Sequence, residues 1–223
     1  MSGELPEGSW PRLHGLARWL GTWIFTPFYR LRVRGAENVP RTGPVLVVAN
    51  HSTMLEGPIL FAVLPRRPVF LIKQEMFRGL LGKGLRRIGQ IALRRDAPDR
   101  GPLMTAVRVL RSGGLVGIFP EGTRGAGDVD SAHNGAAWLA RSSGAVVVPV
   151  ACRGTLRPDG AKRRFRPVVD VLVGDPFELP ADKGRAALTA ATERVRGELA
   201  ALVAELDRRR DSGPGIGASK EIS

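Results

Sequence analysis

A histidine and a carboxylate stand in Asn50-His51-Ser52-Thr53-Met54-Leu55-Glu56, directly after the apolar run Val45–Ala49. A general base must be unprotonated near neutral pH, which favours imidazole, and it needs a partner to fix its tautomer and steady the imidazolium that forms. Glu56 is the obvious partner. The spacing does not place the pair on one face of a regular helix, where neighbours lie three or four residues apart. They meet only if His51 lies in the turn before a helix and Glu56 in its first turns. Asn, Ser and Thr suit such a turn because they cap helices. A helix N-terminus also disfavours imidazolium and keeps the base neutral. The bland alternative is a structural histidine that caps the helix.

A second string, Phe119-Pro120-Glu121-Gly122-Thr123-Arg124, follows the apolar run Leu115–Ile118. Glycine lets backbone N–H groups approach an anion closely, and arginine offers a planar fork for phosphate. Glu121 would orient Arg124 or accept from a substrate hydroxyl. An ordinary turn with a solvated Glu/Arg pair is the competing reading. Arg94 and Arg95 close a third apolar run, and Pro149 sits in a fourth, Val147–Val150, at an expected edge or terminal position.

Short apolar runs rich in β-branched residues read as buried strands. Ligands bind beyond the carboxyl ends of strands in open α/β sheets, so parallel strands would bring both strings to one edge. Strands are expected at 31–34, 45–49, 69–72, 90–93, 115–118, 146–150 and 168–173. Helices are expected at 57–64, 74–88, 103–110, around 136–141 and from 181 to about 209. The alternation predicts an α/β domain, a mostly parallel mixed sheet flanked by helices. The expected organisation is a leader and interfacial helix over 1–30, one domain over 31–210 and a disordered tail over 211–223.

The segment 16–30 carries Trp19, Trp23, Phe25, Phe28 and Tyr29 between Arg18 and Arg30. Arg18 and Pro27 interrupt it, and it falls short of the roughly 20 apolar residues a spanning helix needs. Aromatics with arginine match a water–lipid boundary; the alternative is a terminal helix packed on the core.

With 223 residues, 43% of them hydrophobic, the chain can bury the core of one domain. The net charge of +13 attracts polyanions: nucleic acid, anionic headgroups or phosphorylated substrates. A single cysteine, Cys152, forbids an internal disulfide. There is no G-x-S-x-G elbow, no P-loop spacing around Lys83, and no metal spacing among His14, His51, His133 and Cys152. The basic clusters at 162–164 and 208–210 lack a nucleic-acid recognition pattern, so a membrane surface is the simpler partner.

With these residues in place, the chain resembles the glycerolipid acyltransferases of the lysophosphatidate (1-acylglycerol-3-phosphate) type. That family carries a His-x4-Asp motif, a Gly-and-Arg block, Phe-Pro-Glu-Gly-Thr-Arg and an apolar block with proline, in that order. They match 50–56, 89–95, 119–124 and 147–150 here, and the likeness covers about 31–175. The resemblance implies His51 as base with Glu56 as partner, and an acceptor phosphate held by Arg95, Gly122, Thr123 and Arg124, with Glu121 organising that site. It implies an acyl-CoA or acyl-carrier protein donor as substrate, no cofactor or metal, a lysophospholipid acceptor, an anionic membrane surface and no nucleic acid. The expected location is the cytoplasmic face of the membrane, peripheral or monotopic. Other acceptors are glycerol-3-phosphate, a lyso-phospholipid or a lyso-aminolipid, and the non-enzymatic alternative is a lipid-binding relative. Glu56 departs from the family's usual aspartate by one methylene.

Overall fold

The computed structural model describes residues 5–94, 100–120, 129–156, 165–182, 184–212 and 220–222. In chain order the elements are α1 (Pro11–Phe25), β1 (Arg30–Arg34), β2 (Val45–Ala49), α2 (Glu56–Val63), β3 (Pro68–Lys73), α3 (Gly79–Arg87), β4 (Ile91–Leu93), α4 (Gly101–Arg111), β5 (Leu115–Ile118), α5 (Val129–Ser143), β6 (Val146–Arg153), β7 (Val168–Val173), α6 (Arg185–Asp211) and β8 (Lys220–Ile222). The strands form one eight-stranded sheet in the order β4-β3-β5-β2-β6-β7-β1-β8.

Among the described residues five of the seven strand pairings are parallel, and β6–β7 and β1–β8 are antiparallel. The sheet is therefore mixed and mostly parallel. The block β4-β3-β5-β2-β6 runs one way throughout, which puts the carboxyl ends of those strands on a single edge.

Every residue of β2 is buried, as expected for a central strand covered on both faces. Its side chains alternate between two cores. Leu46 and Val48 pack with residues of α4, α5 and α6, such as Leu110, Leu139 and Leu199. Val45, Val47 and Ala49 pack with Ile59, Leu60 and Leu64 of the α2 segment, and Phe25 and Tyr29 border that core.

Several expectations change. The helix expected over 74–88 is a 3-10 turn, Gln74–Phe77, followed by α3. The chain turns through Gly79 at φ 58°, and a Cβ on Gly82 would collide with the Phe77 backbone. Leu80 and Leu81 of α3 are exposed. Pro149 lies inside β6, an interior strand. It is accommodated because the neighbour on that side changes there: Val147 pairs with Phe177, and β7 begins pairing at Val150. The leader is docked from Leu5 on, with the Trp10 N–H donating to Arg87 O at 2.7 Å. Lys220–Ile222 in the expected loose tail pair with β1.

α1 is built the reverse of an ordinary surface helix. Its inward side carries His14, fully buried, whose Nδ1 lies 2.7 Å from Ile88 O. Arg18 donates to Phe61 O and Leu64 O, satisfying carbonyls left open at the end of α2. Gly21 meets Ala62 closely. Leu16, Trp19, Leu20, Trp23 and Ile24 are exposed instead.

Candidate active site

The site begins where β2 ends. The buried Asn50 amide donates to Cys152 O at 3.0 Å and accepts the Cys152 N–H at 2.7 Å, stapling the strand end to β6. Asn50 is thus a strand staple rather than the helix cap its residue type predicted. His51 follows at the rim. Thr53 Oγ accepts the Leu55 N–H at 3.2 Å, turning the chain so that Glu56 opens α2. His51 in the turn and Glu56 at the helix start is the arrangement their spacing requires.

His51 Nδ1 lies 3.3 Å from Glu56 Oε2, with the two side chains 26% and 0% exposed. The contact falls short of a full hydrogen bond, and Nδ1 has no hydrogen-bond partner among the described residues. Nδ1 is itself buried, so the ring's exposure falls on its remaining atoms. A carboxylate only accepts, so the tautomer that suits this contact carries its proton on Nδ1 and leaves the Nε2 lone pair free.

The Glu56 carboxylate is anchored on both oxygens. Oε2 accepts the Thr53 N–H at 2.8 Å. Oε1 accepts the Thr53 hydroxyl at 3.2 Å and the Thr155 hydroxyl as well. Burial pushes this carboxyl up, but His51, the Thr155 hydroxyl, the Thr53 amide and its own amide outweigh burial and hold it below the usual carboxylate range. A buried group that stays ionised beside an imidazole can stabilise imidazolium without taking the proton.

Aromatic rings fix the other side of His51. Its ring lies on Phe119 with centroids 4.6 Å apart, and Phe119 stacks on Phe70 at 5.7 Å and 13°. Phe70 pairs in register with Gly117, where a Cβ would strike the Phe70 ring. Gly117 therefore clears the path by which a core phenylalanine reaches the imidazole platform.

Of the residues singled out from sequence, His51 and Glu56 meet. Arg95, Glu121, Gly122, Thr123 and Arg124 lie outside the described residues. The strand leading to the last four is placed: β5 lies beside β2, parallel and in register from Val45↔Leu115 to Val48↔Ile118. Arg94 follows β4 at the same edge, three strands from β2 and so about 14 Å along it. Sequence reasoning missed Thr155, Phe70 and the platform role of Phe119. A glycine inside the apolar run 115–118 was the available signal for the stack; Thr155 had none.

A parallel-sheet rim bearing an imidazole backed by a fixed carboxylate suits an enzyme that activates a hydroxyl for group transfer. The family model described as Acyltransferase matches residues 30–153, and the chain belongs to that family: it is an O-acyltransferase. The chain is 29% identical over 178 residues to the 1-acyl-sn-glycerol-3-phosphate acyltransferase of Bacillus subtilis, covering 76% of this chain and 87% of that protein. It is 30% identical over 156 residues to a chloroplastic 1-acyl-sn-glycerol-3-phosphate acyltransferase of Arabidopsis thaliana, covering 67% of this chain but 44% of that one. The crystal structure of the 1-acyl-sn-glycerophosphate acyltransferase PlsC from Thermotoga maritima superposes with a TM-score of 0.65 at 26% identity, over 87% of this chain and 79% of that chain.

Proposed function

We propose that this enzyme transfers a fatty acyl group from an acyl thioester, acyl-CoA or acyl-carrier protein, to the free hydroxyl of lysophosphatidic acid, giving phosphatidic acid for phospholipid synthesis. The observation that carries this reading is the His51–Glu56 pair at the carboxyl rim beside the strand that leads into Phe119-Pro120-Glu121-Gly122-Thr123-Arg124. The names of the relatives support the acceptor.

In this mechanism the acceptor phosphate docks on Arg124 and Arg95, with Gly122 and Thr123 contributing and Glu121 organising the group. His51 Nε2 takes the hydroxyl proton as that oxygen attacks the thioester carbonyl. Glu56 steadies the imidazolium, the C–S bond breaks, and His51 returns the proton to the leaving thiolate. Such base assistance is worth roughly two to four decades in rate, and positioning both substrates contributes as much again. The step uses no cofactor beyond the thioester co-substrate.

The outward apolar face of α1 rests on an anionic membrane at the cytoplasmic side, peripheral or monotopic. No helix among the described residues is long and apolar enough to cross a membrane. Arg166 donates to Thr26 O at 2.9 Å, tying its segment to the turn that follows α1, and Phe28 in that turn and Phe165 beside Arg166 in sequence are both exposed.

The acceptor is tested with a radiolabelled acyl thioester against lysophosphatidic acid, glycerol-3-phosphate, a lyso-phospholipid and a lyso-aminolipid. Lysophosphatidic acid should give the highest kcat/KM. Preference for another acceptor would reassign the substrate, and transfer to none with intact lipid binding would contradict the enzymatic reading.

A further inference from the structure

Thr155 lies two residues beyond β6 and just past the segment that matches the family model. The other partners of the Glu56 carboxylate, His51 and Thr53, belong to the same short turn as Glu56 and move with it. Among the described contacts, only Thr155 reaches this carboxylate from a different part of the chain. Gly154 fixes its approach. That glycine has φ 91°, and a Cβ there would drive into Val168 O, so the backbone closes tightly on the start of β7 before presenting the hydroxyl.

We propose that Thr155 is a positioning residue for acyl transfer: its hydroxyl holds Glu56 Oε1 so that Oε2 faces His51 Nδ1. The inference rests on His51 being the base. Glutamate has one more rotatable bond than aspartate, so a carboxylate on the longer arm needs an external tether to keep one oxygen on the imidazole. A hydroxyl suits the task better than a cation. It donates a strong hydrogen bond to the carboxylate but leaves the negative charge that must answer the imidazolium.

The titratable and charged groups near the pair are few among the described residues. His51 comes from the turn and Cys152 from β6, the latter a thiol pushed up by burial and by the Glu56 charge. Arg153, next along β6, is engaged by Asp207 of α6 at 2.7 Å. Without the Thr155 hydrogen bond the Glu56 carboxylate becomes more basic. It is then itself protonated more readily, and this moves the acid limb of activity to higher pH.

The test compares Thr155→Val, Thr155→Ala and Thr155→Ser in the full chain, with His51→Ala alongside, using lysophosphatidic acid and a long-chain acyl thioester. Both variants without the hydroxyl should lose about tenfold or more in kcat, the usual scale for a residue that orients a catalytic group. Their acceptor KM should stay within about twofold of the parent, and the acid limb of kcat should move up. Thr155→Ser should restore both rate and profile. Parental kcat and pH profile in Thr155→Val and Thr155→Ala, or a Thr155→Ser as impaired as Thr155→Ala, would overturn the proposal while an inactive His51→Ala left the base assignment standing. A His51→Ala that turned over like the parent would instead remove the reading beneath it.

Discussion

Glu56 has no exposed surface and yet remains ionised, because each oxygen accepts from donors the backbone has already fixed. A carboxylate held this way cannot adjust to a shorter arm. Glu56→Asp withdraws the group by one methylene from both Thr155 and His51, so kcat should fall about tenfold or more with the fold intact. Steady-state kinetics beside a thermal melt checks this; an Asp variant faster than the parent would mean that the pocket tolerates glutamate rather than being shaped to it. His51 and Glu56 were legible in the sequence because the turn joining them is local. Thr155 was not, since its meeting with Glu56 exists only after β6 has paired with β2 and turned at Gly154. The aromatic platform was half legible: Gly117 announces a close approach within a strand, but not which ring makes it.

At the scale of elements, α1 is the anomaly. An amphipathic helix on a globular domain normally turns apolar residues inward, whereas here histidine, arginine and glycine face α2 while Trp19 and Trp23 are 58% and 57% exposed. The inward residues are bonded, so this is a settled packing with an apolar surface left over. Trp19→Ser with Trp23→Ser should weaken flotation with anionic vesicles strongly while leaving the melting temperature within about 2 °C of the parent, since exposed substitutions cost little stability. Unchanged flotation would remove α1 as the membrane contact. The aromatic helix and its place before β1 could be read from sequence. Its polar inner face could not, because Arg18 reads as an interruption until α2 supplies carbonyls for it. Pro149 misled in a similar way: its interior position is tolerable only because its neighbour switches from Phe177 to β7, a long-range event.

Over the whole molecule, alternating strands and helices made the parallel sheet legible, and with it the shared rim. The reversal at β6–β7, the return of β1 to the far side and the edge strand β8 were not, since they depend on strand order rather than local pattern. The same global packing sets an acid response. Burial, aided by the charges of Arg18 and Arg67 and opposed by the Ile88 carbonyl, brings His14 down from its ordinary 6.5 to about 4. The folded state therefore refuses a proton that the unfolded chain accepts. This contribution is fully held above about pH 6.5 and lost as pH falls towards about 4, a total of about 3 kcal/mol. Glu56, whose folded value is also depressed, adds to the loss below the ordinary glutamate range. Denaturant melts at pH 7 and pH 4.5 should show the decline in the parent and much less of it in His14→Asn, which keeps a donor for Ile88 O. An equal decline in both would place the acid sensitivity elsewhere.

In the proposed reaction the His51 imidazole removes the acceptor's proton. Single-turnover formation of phosphatidic acid from lysophosphatidic acid and an acyl thioester, compared between the parent and a folded His51→Ala, tests it most directly. The predicted result is a loss of at least about 100-fold in the transfer rate with the circular dichroism spectrum unchanged. A folded His51→Ala that transfers within a few-fold of the parent would contradict it.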